Sequence, residues 1–128
     1  MGKLTYIICG KLYDGIDREL KENQKILIED DRIVEVGPEV QQPESAQVID
    51  LSDTTVTPGM IDAHMHMDNI DWHTIRQEVY YTSEEHKALG ILRTAQKALS
   101  RGFTTVRHPG GITSNGFGVL DVRDMINQ

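Results

Sequence analysis

The rhythm of hydrophobic and polar positions changes partway along this chain, and the two halves predict different kinds of structure. "LTYIICGKLYDG" is dense in β-branched and aromatic residues and closes on Asp14-Gly15, so it predicts a strand and its turn. "KILIEDDRIVEVG" predicts a hairpin of two short strands, Lys25 to Glu29 and Arg32 to Gly37, joined by Asp30-Asp31. In it Ile26 and Ile28 are answered by Ile33, Val34 and Val36. "GPEVQQPES" is a polar loop with two prolines, and "AQVIDLSD" is a further short strand. Together these predict an antiparallel unit of roughly fifty residues, small to stand alone.

From Val56 the pattern is different. "VTPGMIDAHMH" is an apolar strand opened by Pro58-Gly59 and expected to run to His66. "TSEEHKALGILRTAQKALSRG" then predicts an amphipathic helix, with Thr82 and Glu85 as a capping box and Glu84 and Glu85 suited to the positive helix end. Ala88, Ile91, Leu92, Ala95, Ala98 and Leu99 recur at helical spacing and are expected to form its buried face. Arg101-Gly102 is a typical stop. "FTTVRH" is the next strand, ended by Pro109-Gly110-Gly111, and "VLDVRDMINQ" starts a second helix. Strand, helix, strand in this order is a βαβ unit with parallel strands, which must be covered on both faces. Two such strands do not complete a domain, so the chain is expected to be the front part of something larger.

Composition narrows the field of partners. The chain has 128 residues, 38% hydrophobic and 26% charged, in the range of globular proteins. Its net charge of −7 leaves no basic patch for a phosphate backbone, which argues against nucleic acid. There is no apolar run of transmembrane length and nothing like a signal peptide, so no membrane partner is expected and the location is expected to be cytoplasmic. The single cysteine, Cys9, sits in an apolar strand and reads as a small buried hydrophobe ahead of a reactive thiol.

The chemistry is concentrated in "TPGMIDAHMHMDN". Side chains on a strand alternate, so Asp62, His64 and His66 are expected to project together while Ile61, Ala63 and Met65 face the other way. Two imidazoles one residue apart on a strand can converge on one metal ion; on a helix the spacing would have to be i, i+4, as in HExxH. A chance HxH arises in about one chain in five at this histidine content, so the bare motif is weak. The preceding glycine turn, the apolar strand, the upstream carboxylate and the helix that follows sharpen it toward metal ligation over structural histidines. Asp62 reads either as a group orienting a ligand histidine or as a plain strand-end hydrogen bond. Asp68, Trp72 and His73 fall in the loop after the strand, each reading first as a solvated position, and His86 in the helix's first turn reads as exposed.

At these residues a resemblance enters. "VIDLSDTTVTPGMIDAHMH" resembles the start of the metal-dependent amidohydrolase superfamily, whose members carry a PG-x-ID-x-H-x-H segment on a first barrel strand. "LSRGFTTVRHPGG" is similar to the second-strand signature of the branch with imidazolonepropionase and prolidase-like enzymes. "ILIEDDRIVEVG" resembles part of the small β-sandwich those enzymes carry. The resemblance implies an α/β chain, with the N-terminal part of a β-sandwich over residues 1–55. The first βαβ of a TIM (β/α)8 barrel, incomplete here, would occupy residues 56–128.

It also implies a hydrolase of carbon–nitrogen bonds in amide, cyclic amide or dipeptide-like small-molecule substrates. One or two divalent metals, usually zinc, would activate water and polarise the carbonyl. His64 and His66 match the first-strand ligands. The family's later ligands, a lysine or glutamate, two histidines and an aspartate, come from strands beyond these residues. His108 stands where the family more often has an aspartate, so it reads either as a substrate-pocket residue or as an ordinary loop histidine. The expectation is an N-terminal stretch inactive by itself, associating with itself or with a complementary chain. The alternative is a non-catalytic module that binds metal or a partner.

Overall fold

The computed structural model describes residues 2–68, 81–111 and 117–128, and of Phe117 the backbone alone. The chain forms two compact units, Met1–Pro58 and Gly59–Gln128.

The first unit is a five-stranded sheet. β1 (Leu4–Leu12) pairs antiparallel with β2 (Lys21–Glu22) and β3 (Lys25–Glu29), and β3 turns into β4 (Arg32–Gly37). The hairpin lies where the alternation puts it, with Asp30 at φ 53° in its turn. β5 (Gln47–Val56) corrects the all-antiparallel expectation, because it pairs parallel to β1. A parallel partner needs a crossover. Here the hairpin and the loop over 38–46 supply it, pinned where the Tyr6 hydroxyl donates to the Val40 carbonyl at 2.9 Å. β5 is also longer than "AQVIDLSD" suggests, and it takes in Val56, the first residue of the segment read as the following strand.

Cys9, Leu12 and Ile26 form the core of this sheet, with Ile7, Ile28 and Val56 packed around them. Cys9 and Leu12 have opposite parity along β1 yet share one core, and between them the register with β5 shifts: Cys9 pairs Leu51, and Lys11 pairs Thr55. The bulged main chain presses on Gly10, where a Cβ would overlap the carbonyl oxygen of Ser52. Cys9 is buried, as read, and burial pushes its thiol pKa up. On β4, by contrast, Ile33, Val34 and Val36 are exposed.

The turn after β1 is held by charge. Asp14 accepts from the Lys21 ammonium at 2.6 Å and from the main-chain N–H groups of Ile16 and Asp17, and Lys21 also meets Asp17 at 2.8 Å. Chiefly through the Lys21 hydrogen bond, with the two main-chain bonds behind it, the Asp14 carboxyl is held well below the ordinary carboxylate range. A group depressed in the folded state favours folding above its unfolded pKa of about 4 and loses that contribution as acid protonates it. Asp14→Asn should therefore lower the melting midpoint at neutral pH. It should also flatten the loss of stability that the unsubstituted chain shows below about pH 4. Thermal melts across an acid series check both; parallel curves for the two chains would refute the assignment.

In the second unit β6 (Met60–Asp62) and β7 (Phe103–Val106) pair parallel, with α1 (Glu84–Ser100) between them in sequence. α1 packs against β7 and against α2 (Phe117–Ile126). α1 is capped by Ser83, whose hydroxyl accepts from the His86 N–H, one residue later than the Thr82 box expected. It ends at Arg101 as read, with Gly102 at φ 89°. Its buried face is narrower than its periodicity: Ile91 and Ala98 are buried and Ala95 packs beside them, while Leu92 is marginally and Leu99 widely exposed. Lys87 is buried as well, its ammonium on Glu84 at 2.7 Å. The core is Met67, Ile91 and Val122, joined by Met65, Val106 and Val119. Among the described residues β7 pairs only with β6, and a cavity of about 570 Å³ opens beside it, lined partly by Thr105, Val106, Val119 and Ile126. No described helix is long and apolar enough to cross a membrane.

Candidate metal centre

β6 stops at Asp62, four residues short of the expected end at His66. The reason is a one-residue misfit in the ladder. Arg107 donates its N–H to the Asp62 carbonyl at 2.8 Å, and its carbonyl accepts from Met65 at 3.0 Å. A regular parallel ladder would take the second bond from residue 64. The extra residue bulges the chain at Ala63–His64 and cancels the i, i+2 alignment of Asp62 with His64. Asp62 lines a cleft of about 430 Å³ with Thr94, Lys97 and Arg101. Its carboxylate accepts from the main-chain N–H of His64 at 2.9 Å, so it holds the backbone of the bulge.

Beyond the bulge the alternation resumes. Met65 and Met67 turn into the core, while His64 and His66 are exposed. Their rings meet edge to face with centroids 5.2 Å apart. His108, two residues past the end of β7, also lies edge to face with His66, with centroids 5.9 Å apart. One ring nitrogen each of His66 and His108 and a carboxylate oxygen of Asp68 all lie within 4.8 Å of one another, close enough to hold a metal ion. Asp68, read from sequence as a solvated loop position, is half-buried in this group. His66 belongs to both arrangements. His86 is exposed in the first turn of α1, and Trp72 and His73 lie outside the described residues.

The loop after β7 shapes the group. Gly110 has φ 132°, a conformation that favours glycine, and its carbonyl faces the His66 ring with Nδ1 at 2.6 Å. A Cβ on Gly111 would overlap the Asp68 carboxylate, so the glycine lets the main chain approach it. Pro109-Gly110-Gly111 was legible as a turn; its contact with His66 and Asp68 had no signal in the sequence.

Hydrogen bonding separates the histidines chemically. A carbonyl only accepts, so Nδ1 of His66 carries its proton and Nε2 keeps a lone pair. This is the arrangement in which metal-ligating histidines are usually fixed. At His108 the pattern is reversed: the Met67 main-chain N–H donates to Nδ1 at 3.1 Å.

Comparison with known proteins bears on the family. Residues 55–128 match the model of the amidohydrolase family. A dihydroorotase of Anaeromyxobacter dehalogenans is 29% identical over 109 residues, 83% of this chain and 21% of that protein. A dihydropyrimidinase 2 of Caenorhabditis elegans is 45% identical over 42 residues, 33% of this chain and 8% of that protein. Among solved structures, a Xaa-Pro dipeptidase with methionine bound in its active site superposes with a TM-score of 0.82 at 29% identity, over 98% of this chain and 30% of that one. Phenylurea hydrolase B gives a TM-score of 0.82 at 28% identity, over 98% of this chain and 28% of that one. The chain thus spans about a fifth of the dihydroorotase and under a third of these two structures. With a match over more than half its length and a mixed α/β fold shared with solved hydrolases, the chain belongs to the amidohydrolase family.

Proposed function

We propose that this chain is the metal-holding N-terminal part of a hydrolase that cleaves carbon–nitrogen bonds in small amides, cyclic amides or dipeptide-like substrates. Residues 1–55 are read as part of a β-sandwich and 56–128 as the first units of a (β/α)8 barrel. His64 and His66 are the ligands, for one or two ions with zinc first among them. One observation carries the reading: the His66 ring lies with its centroid 5.2 Å from that of His64, and its Nδ1–H on the Gly110 carbonyl leaves Nε2 a lone pair. Two imidazoles with a carboxylate nearby are a donor set that suits zinc. A divalent ion supplies Lewis-acid polarisation of a carbonyl and activation of water when bound.

The residues of this chain hold and orient. The Asp62 carboxylate fixes the bulge through the His64 N–H, the Gly110 carbonyl sets the His66 ring, and Asp68 adds an acceptor beside it. Two histidines are one fewer than the three protein ligands usual at catalytic zinc, so turnover is taken to need residues beyond these 128. Dihydroorotase, dipeptidase and phenylurea hydrolase relatives support the carbon–nitrogen class by name. Self-association or a complementary chain is part of the proposal, supported by Met60 and Ile61 of β6, which are exposed. The second reading is a non-catalytic module that binds metal or a partner, favoured by the same short ligand set.

The test compares lengths. The full-length protein with Zn²⁺ should hydrolyse at least one member of a panel of acyl-amino acids, dipeptides and cyclic amides, and His64→Ala should remove that turnover. Residues 1–128 alone should show none above buffer. A metal-loaded, folded full-length protein inert to the whole panel would favour the non-catalytic module. Turnover by residues 1–128 that vanishes in His64→Ala would overturn the incomplete-site reading.

A further inference from the structure

The cluster of His66, Asp68 and His108 has the spacing of a three-ligand metal site, yet its hydrogen bonds make its members unlike. A ligand nitrogen must present a lone pair. His66 does so at Nε2, because the Gly110 carbonyl occupies the Nδ1–H. At His108 the lone pair is on Nδ1 and is already engaged by the Met67 N–H at 3.1 Å. In the neutral ring the proton then stands on Nε2. To ligate through Nε2, His108 would have to move that proton to Nδ1 and set it against the Met67 N–H, donor facing donor.

We propose that His108 is a fixed hydrogen-bond donor for ligand binding and takes no part in holding metal. Its Nε2–H would serve an acceptor oxygen, a carbonyl or carboxylate, of a ligand bound at the His66–Asp68 group. The inference rests on the metal reading above for what sits on His66, and on the two ring environments for the division of labour.

Several features give the donor a fixed place. His108 is half-buried, and its ring stands at 84° to that of His66 with centroids 5.9 Å apart. The group that fixes it, the Met67 N–H, is the main-chain link between His66 and Asp68, and the Met67 side chain is anchored in the core with Ile91 and Val122. The donor is therefore built on the same few residues as the proposed ligands. Such a donor selects for acceptors: a ligand offering an ammonium there would meet a proton with no lone pair. The ligand class is thus one with a carbonyl or carboxylate oxygen at this point.

Long-range ¹H–¹⁵N spectra of the ¹⁵N-histidine-labelled protein test the inference, first metal-free and then with Zn²⁺. His108 should be the Nε2–H tautomer and His66 the Nδ1–H tautomer, and Zn²⁺ should perturb Nε2 of His66 while His108 keeps its Nε2 proton. Acetate, as a carboxylate probe on the zinc-loaded protein, should bind about tenfold or more weakly to His108→Asn, while Zn²⁺ affinity stays within about tenfold. Asparagine retains an oxygen for the Met67 N–H and is too short to offer the donor in the same place, so it preserves the fold better than alanine. A His108 in the Nδ1–H form, coordination of Zn²⁺ by His108, or unchanged acetate affinity in His108→Asn would each overturn the proposal. If Zn²⁺ left His66 unaffected, the hydrolase reading would fail, and the metal-free tautomer of His108 would still decide this one.

Discussion

His66→Ala is expected to reduce Zn²⁺ or Co²⁺ affinity by roughly a hundredfold or more, the largest single loss of any substitution in this chain. Partners outside the metal's own ligands already account for about 10- to 100-fold when removed, and a ligand should exceed them. The loss is larger than for His64 because His66 is shared: its ring contacts those of both His64 and His108, and it belongs to the group with Asp68. An ion bound by either arrangement uses it. Calorimetric titration, or the visible spectrum of the Co²⁺ form, measures the loss directly. Near-equal affinity in the folded variant would remove His66 from the ligand set and with it the proposed function.

The second large effect is on stability. Ile91→Ala should cost about 2–5 kcal/mol, because Ile91 is 1% exposed and truncating a fully buried side chain leaves a cavity as well as losing burial. It packs in the core with Met67 and Val122, and its Cδ1 lies near Gly118, where α2 approaches α1. Leu99→Ala is the control: that residue has the same helical periodicity but is 63% exposed, and its loss should stay within about 0.5 kcal/mol. Urea unfolding separates the two. Equal losses would mean that the apolar spacing along α1, and not the packing seen here, describes its buried face. Met67 stands between His66 and Asp68 in the chain and belongs to this core, so Ile91→Ala should also weaken metal binding modestly before the chain unfolds.

Most of the local structure could be read from the residues. The hairpin at Asp30-Asp31, the helix stop at Arg101-Gly102 and the parallel pairing of the strands around the helix each depend on near neighbours or on a short connection. Turn chemistry and periodicity carry that information within a dozen residues. In the sheet a distant residue entered where the reading failed, and on the helix the choice was too local for propensity to make. β5 lies parallel to β1 after a crossover whose loop, more than thirty residues from Tyr6, docks on its hydroxyl. The cap on α1 moved to Ser83, a choice between adjacent hydroxyls that propensity does not separate. Leu99 matches the helical period but has no described neighbour to bury it.

The candidate site divides along the same line. The sequence by itself determined which side chains are available: two histidines at HxH spacing, aspartates on either side, and a Pro-Gly-Gly turn after the next strand, enough to point to metal chemistry and to the family. Only the tertiary structure decided how those groups face one another. The bulge at Ala63–His64 arises from the register with Arg107, 44 residues from Ala63, and there the Asp62 carboxylate accepts from the His64 main-chain N–H. Asp68 and His108 came together across 40 residues, and the proton on each ring was assigned by a main-chain group, the Gly110 carbonyl for His66 and the Met67 N–H for His108. Main-chain donors and acceptors are the same at every residue, so which of them meets an imidazole is set by how two strands and their loops pack, and a one-dimensional pattern does not contain it.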